Sequence, residues 1–261
     1  MAMKPNRFRQ MWKEGKAPVG HMLFEFNSRG VAKILEAAGV DFVVIDMEHS
    51  SFTLAEVADM VAWLKATPIA PFVRIPEVQY HLIARALDIG LLGVMAPNVQ
   101  TAAQARAVVD AAKYPPLGKR GFHFGGASTD FLGGDAGEYV RYANENTTVI
   151  LMIESPQGVE NVEAIATTPG VDALWVGYGD LAQYMGIPGQ FHDARFLDAL
   201  RHTVAAAKKH GLAAIIQPGN AGQLKEWLAI GFNVISYGAD FALYKEALTK
   251  AVAEIRQIMG A

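Results

Sequence analysis

Two apolar runs in the middle of the chain each stop at an acidic residue. Val149-Ile150-Leu151-Met152-Ile153 ends at Glu154, and the run from Val171 to Gly177 leads through Tyr178 and Gly179 to Asp180. Either carboxylate alone would serve as a helix cap. Two that leave the same end of adjacent strands, about 4.8 Å apart, can reach one ion, and hard divalent cations take oxygen ligands of this sort. Other apolar runs also end in chemistry: one in Asp46-Met47-Glu48-His49, the next in Arg74, then Pro97-Asn98 and Gln217-Pro218-Gly219. A metal held by two carboxylates leaves positions for a chelating substrate, polarises a carbonyl and acidifies the neighbouring C–H. Arg74 offers a fixed guanidinium for the oxyanion or carboxylate that results. A histidine such as His49 moves a proton in either direction near neutral pH.

Those residues need strand ends to stand on, and the chain supplies a repeating strand-then-helix rhythm. Near-continuous apolar runs of the kind a sheet covered on both faces requires predict strands at 19–26, 42–47, 71–75, 91–96, 149–153, 173–177, 213–217 and 234–237. Helical periodicity falls between them at 31–38, 54–66, 79–89, 101–113, 156–167, 193–210 and 222–229, with a last helix at 241–259. Ser155 and Pro156 suit the N-cap and first position of their helix. Gly39, Gly90, Gly211 and Gly231 mark helix-to-strand turns. A short amphipathic helix at 5–15, with Phe8, Met11 and Trp12 on one face, is expected to plug one end of the strand-and-helix unit.

Eight βα units without a linker predict one (β/α)8 TIM barrel over residues 1–261. A doubly wound open sheet is the runner-up, but no Gly-x-Gly-x-x-Gly follows the first strand. One interval breaks the rhythm. Residues 114–146 hold no strand, only a stretch with seven glycines from Gly118 to Gly137 and a helical piece at 138–144. A surface loop and an arm that serves the active site are both open readings.

Composition excludes several classes. With 51% hydrophobic and 19% charged residues the chain is an ordinary globular protein, and a net charge of −3 gives no sign of a nucleic-acid or anionic-membrane partner. The absence of cysteine removes disulfides, thiolate metal sites and cysteine nucleophiles. No run approaches the ~18 apolar residues of a membrane span and the start is too polar for a signal peptide, so a cytoplasmic location is expected. Every lysine falls on a predicted helix or loop, which disfavours a Schiff base. His21, His81, His192, His202 and His210 lack metal-ligand spacing and are read as structural or solvated; His123, in the Gly-rich interval, is left open.

DFVVIDMEHS at 41–50, VRIP at 73–76, ALDIG at 86–90, VMAPNVQTAAQA at 94–105, YPPLGKRG at 114–121, MIES at 152–155 and VGYGDLAQYMG at 176–186 together resemble the HpcH/HpaI aldolase family, metal-dependent pyruvate aldolases of the phosphoenolpyruvate-barrel type. The resemblance covers most of the chain, in order. It implies Glu154 and Asp180 as metal ligands, His49 as catalytic base, Arg74 as the residue that steadies the enolate, and Asp88 as the acid that orients the histidine. It also implies Arg74, Gly179 and Asp180 as the substrate-binding set, Mg²⁺, Mn²⁺ or Co²⁺ as cofactor, and a 2-oxo acid and an aldehyde as small-molecule partners. Exchange of a C-terminal helix and a homo-oligomer, a hexamer built as a trimer of dimers, are implied too, so that Asp88 would act from an adjacent subunit.

The reaction implied is reversible retro-aldol cleavage of a 4-hydroxy-2-oxo acid to pyruvate, or an analogue such as hydroxypyruvate, and an aldehyde. Departures fall on the aldehyde half. Met152 stands where some members have Gln, Tyr178-Gly179 precedes the metal Asp, and FHFGGASTDF follows Arg120-Gly121. An aromatic pocket from Tyr178, Phe122 and His123 is one expectation. A CoA-ester lyase of the citryl or malyl type and a silent 2-oxo-acid binder are the alternatives.

Overall fold

The computed structural model describes residues 3–260. Helix α1 (Arg7–Lys13) is followed by β1 (Val19–Leu23), α2 (Val31–Ala37), β2 (Phe42–Asp46), α3 (Leu54–Leu64), β3 (Ala70–Arg74), α4 (Tyr80–Asp88), β4 (Gly93–Ala96) and α5 (Ala102–Ala112). After a long loop come α6 (Ala136–Asn146), β5 (Thr148–Ile153), α7 (Pro156–Glu160), α8 (Val162–Ala166), β6 (Ala173–Val176) and α9 (Tyr178–Tyr184). The chain ends with α10 (Ala194–Lys209), β7 (Ala213–Ile216), α11 (Ala221–Ile230), β8 (Val234–Ala239) and α12 (Asp240–Met259). All strand pairs are parallel and β8 closes on β1, so the sheet is a barrel and the open doubly wound alternative is excluded. Among the described residues no helix is long and apolar enough to cross a membrane.

Alternation along the strands sorts side chains between two cores. Phe42 and Val44, Phe72, Met95, Ile150 and Met152, Trp175 and Ile215 fill the barrel interior, while Val43, Ile45, Val73, Leu151 and Leu174 face the helices. The next inward positions are Asp46, Arg74, Glu154 and Gly177, where the apolar filling stops and the mouth begins. At the opposite end α1 inserts Phe8, which meets Phe42 and Phe72 edge-on at 5.3 and 5.5 Å. The predicted plug is therefore Phe8, with half-buried Trp12 beside it. Reciprocal capping boxes at Thr53/Glu56 and Thr101/Gln104 start α3 and α5. The four turn glycines, at 39, 90, 211 and 231, all take positive φ.

Three departures from the expected elements matter. The helix predicted at 156–167 is two short helices, with Asn161 between them donating to Gln100 O at 2.8 Å. Residues 178–184, outside every predicted helix, form α9. The Gly-rich loop leaves the C-terminal end of α5, at the face opposite the mouth, because helices of a barrel run back against the strands. Lys65, at the end of α3, ties it down through Ala127 O at 2.5 Å, and Phe122, Phe124, Tyr114 and Tyr139 form a separate aromatic cluster.

Candidate active site

Asp46 and Arg74 face each other at the ends of β2 and β3 in the strand register. Arg74 Nε and Nη2 donate to the two carboxylate oxygens at 2.7 and 2.8 Å, a bidentate fork between groups almost wholly removed from water. The same carboxylate accepts the backbone N–H of Glu48 at 3.1 Å and of His49 at 3.2 Å. The chain thus turns sharply after β2 and sets Glu48 and His49 on the rim. Glu48 Oε2 lies 3.2 Å from Arg74 Nη1 and 3.7 Å from His49 Nε2. His49 itself is 59% exposed and faces the opening. The Asp46 fork uses two of the five guanidinium N–H groups, which leaves three for a ligand or for Glu48.

Glu154 follows β5 and is clamped from two sides. Its Oε1 accepts the backbone N–H of Asn98 at 2.5 Å, and Asn98 holds the left-handed conformation (φ 49°) that aims this amide. On the other side stands Gly177, at the end of β6. A Cβ there would lie 2.1 Å from Glu154 Oε2, so the carboxylate occupies the space of the missing side chain. Asp180 projects from the first turn of α9, where a carboxylate also suits the helix dipole. That short helix is anchored by Tyr178, whose ring meets Trp227 at 5.0 Å and Phe191 at 5.1 Å. A Cβ added at Gly179 would meet nothing within 4 Å, so the backbone there is approachable.

Charge is crowded at this mouth. Burial pushes Glu154 up to about 7; the Asn98 amide opposes this, Glu48 and Asp180 add to it and Arg74 subtracts. Burial likewise raises Glu48, against Arg74 and His49. Burial pulls Arg74 down, but the hydrogen bonds and charge of Asp46, with Glu48 and Glu154, outweigh it, and Arg74 stays a cation. Among the described residues no cluster of three or more His, Asp or Glu forms a ready-made metal cage. Two carboxylates are nonetheless what Mg²⁺ ordinarily takes from a protein, with water and substrate oxygens completing the shell. An all-oxygen pair whose buried member has an abnormally high proton affinity fits a hard divalent cation.

Comparison with known proteins decides the family. A profile described as HpcH/HpaI aldolase/citrate lyase matches residues 21–247. The chain belongs to this family. A 5-keto-4-deoxy-D-glucarate aldolase of Klebsiella pneumoniae subsp. pneumoniae is 32% identical over 249 residues, covering 95% of this chain and 96% of the relative. One of the same name from Shigella dysenteriae serotype 1 is 34% identical over 218 residues, 84% of each chain. The crystal structure of an HpcH/HpaI aldolase from Desulfitobacterium hafniense DCB-2 superposes with a TM-score of 0.91 at 30% identity, over 95% of this chain and 96% of that one. As a member of the HpcH/HpaI family the protein is a carbon–carbon lyase, of the aldolase type that handles small 2-oxo-acid-like substrates.

Within this HpcH/HpaI chain Arg74, Glu154 and Asp180 stand at one mouth with His49, while Asp88 does not. Asp88 ends α4, at the face opposite the mouth, and pairs with Arg120 at 2.5 Å, whose guanidinium lies 4.8 Å from the Tyr114 ring centre. A single chain does not join Asp88 to His49. The expected aromatic pocket is corrected as well. Phe122 packs with Tyr114 and Tyr139 in the loop cluster, the His123 carbonyl accepts from Tyr114 Oη at 3.3 Å, and Tyr178 anchors α9. The aromatic ring at the site is Phe24, 5.7 Å from the Arg74 guanidinium carbon. Asp46 and Asn98 were named in the sequence at strand ends without a role of their own, and Gly177 and Phe24 were not singled out.

Proposed function

We propose that the protein is a divalent-metal-dependent aldolase that cleaves a 4-hydroxy-2-oxo acid reversibly to pyruvate, or a close analogue such as hydroxypyruvate, and an aldehyde. The observation that carries this reading is the mouth itself: the carboxylates of Glu154 and Asp180, and a guanidinium pinned on one edge by Asp46 with Glu48 3.2 Å from its Nη1. Glu154 and Asp180 would hold Mg²⁺, Mn²⁺ or Co²⁺. When bound, such an ion would polarise the 2-oxo group and stabilise negative charge on its oxygen.

The chain's own residues do the rest. Arg74 offers the N–H groups that Asp46 does not take to the substrate's 2-oxo-acid end, and its orientation needs no adjustment because both Asp46 oxygens already hold it. As the C3–C4 bond breaks, the electron pair passes to C3 and the carbonyl oxygen, and Arg74 steadies the enolate. His49, exposed at the rim, takes the proton from the 4-hydroxyl as the aldehyde forms, and Glu48 at 3.7 Å stabilises the imidazolium. The enolate then takes one proton at C3 to become pyruvate, and the imidazolium gives up the proton it took, which restores the neutral imidazole; synthesis runs the same transfers in reverse. The accessible backbone at Gly179 and the carboxylate of Asp180 complete the substrate set.

Assembly belongs to this reading. Helix α12 buries only Asp240, while Tyr244, Leu248, Val252, Ile255 and Met259 lie exposed at spacings of three and four. An apolar stripe of that length needs a cover. A second copy that exchanges α12, within a hexamer arranged as a trimer of dimers, would supply one, and another subunit would bring Asp88 to His49. A cytoplasmic location fits small-molecule chemistry without disulfides.

The test is a coupled assay for pyruvate release from a panel of 4-hydroxy-2-oxo acids, run beside an assay for acetyl-CoA release from citryl- and malyl-CoA, with light scattering for the assembly. Metal-dependent pyruvate release from the hydroxy-oxo acids supports the proposal. Acetyl-CoA release from the thioesters, with no pyruvate from the hydroxy-oxo acids, would replace it with a CoA-ester lyase, and binding of pyruvate without turnover would leave a 2-oxo-acid binder.

A further inference from the structure

Asp240 is 5% exposed at the root of α12, and its carboxylate gathers backbone amides from across the barrel seam. Phe24 N donates to both oxygens at 3.1 Å, Glu25 N and Phe26 N donate to Oδ2 at 2.9 and 2.7 Å, and the adjoining Phe241 N donates to Oδ1 at 2.8 Å. Three successive N–H groups converging on one anion make a nest, a strong and directional arrangement. Its effect is to take residues 24–26 out of the β1 ladder and fold them over the mouth. Phe24 then lies between two neighbours: the Arg74 guanidinium at 5.7 Å on one side and, edge-on, Phe241 at 5.6 Å on the other. Phe26 meets Tyr244 at 5.7 Å, a second tie to the same helix.

We infer that Asp240 is a positioning residue for the 2-oxo-acid subsite: by holding residues 24–26 it presses Phe24 onto Arg74 and fixes the face of the guanidinium that Asp46 leaves free. The inference rests on the aldolase reading for its kinetic consequence, not for its geometry. Arg74 is held along one edge by Asp46, and the ring blocks rotation out of that plane and keeps water from that face. Because Asp240 opens α12, displacing that helix would also loosen the Phe24 turn.

Asp240→Asn tests this. The amide cannot accept on both sides, so its NH₂ must oppose a backbone N–H. Three measurements are made on Asp240→Asn, Phe24→Leu and the double variant: pyruvate KM for methyl-proton exchange, Mn²⁺ affinity, and the ¹⁵N-edited Nε–H resonance of Arg74. Each single variant is expected to raise KM about five- to tenfold, with kcat and Mn²⁺ affinity within about twofold. The double variant should be no worse than the poorer single one, and Asp240→Asn should shift the Arg74 resonance in the same direction as Phe24→Leu. A purely structural role would lower stability and leave KM and the resonance in place, which overturns the inference, as would additive effects in the double variant. If the wild type enolises nothing, the aldolase reading fails, and the Arg74 resonance still decides whether Asp240 acts through Phe24.

Discussion

Gly177→Ala isolates the geometry of Glu154 from the stability of the barrel. Gly177 has φ −80° and ψ 79°, which alanine tolerates, so backbone strain is not at issue. What changes is space. The new Cβ would lie 2.1 Å from Glu154 Oε2, 2.8 Å from Glu154 Cβ and 3.0 Å from Met152 Cε, where ordinary contact begins at 3.4 Å. The carboxylate must therefore retreat by ~1.3 Å, several times the ~0.2 Å tolerance of a metal–oxygen bond. Retreat also stretches the 2.5 Å bond from Asn98 N. Divalent affinity, read by Mn²⁺ titration, is expected to fall roughly 10- to 100-fold. Overpacking should cost about 1–3 kcal/mol in urea unfolding, well short of unfolding the chain. A Gly177→Ala protein that binds Mn²⁺ as the wild type does would refute the placement of Glu154 as a ligand.

Three further outcomes follow from charge. Glu154, pushed up to about 7 by burial, holds a proton in the folded state between its ordinary value of 4.5 and 7 that the unfolded chain has lost, so apo stability falls as pH rises through that window. Divalent binding must expel the same proton: calorimetry in buffers of different ionisation enthalpy should find close to one proton released per ion at pH 6, few at pH 8, and the difference gone in Glu154→Gln. Asp46→Ala leaves Arg74 charged in a buried place with its bidentate partner gone and Glu48 at 3.2 Å as its remaining ion pair, and about 3 kcal/mol of stability should be lost in denaturant unfolding; a loss under 1 kcal/mol would mean that Glu48 or water takes over the role of Asp46. Lys113, 2% exposed, donates to Asn144 O at 2.8 Å, and burial lowers it to about 8 despite Asp172. Its folded pKa lies below the unfolded 10.5, so below pH 8 the penalty is full. It is relieved as pH rises to 10.5, and the wild type should gain about 3 kcal/mol over Lys113→Met across that range. A flat difference would contradict a buried, charged Lys113.

The barrel was legible because eight apolar runs of the right length stand between helical periods, and the site because polar residues replace apolar ones where those runs stop. Arg74, Glu154 and Asp180 were visible on that ground alone. Contacts between distant segments were not. The first strand was expected to run to Phe26, but the buried Asp240 carboxylate takes the amides of residues 24–26 and ends it at Leu23. Gly177 stood only as the last residue of a predicted strand, and the Glu154 side chain folded against it explains why nothing larger fits. The Gly-rich loop could not be assigned to an end of the barrel from composition. Its departure from the C-terminus of α5 fixes it on the far face, and Phe122 and His123 go with it.

If this mouth makes an enolate with the help of a divalent ion, the pyruvate methyl protons must exchange with solvent in D₂O. NMR follows that exchange without the unidentified aldehyde. Exchange is expected to stop with chelator, to return with Mg²⁺, Mn²⁺ or Co²⁺, and to be absent in Glu154→Ala at every metal concentration. Exchange that survives chelator and the loss of Glu154, or none with any of the three ions, would contradict metal-assisted enolisation at this site.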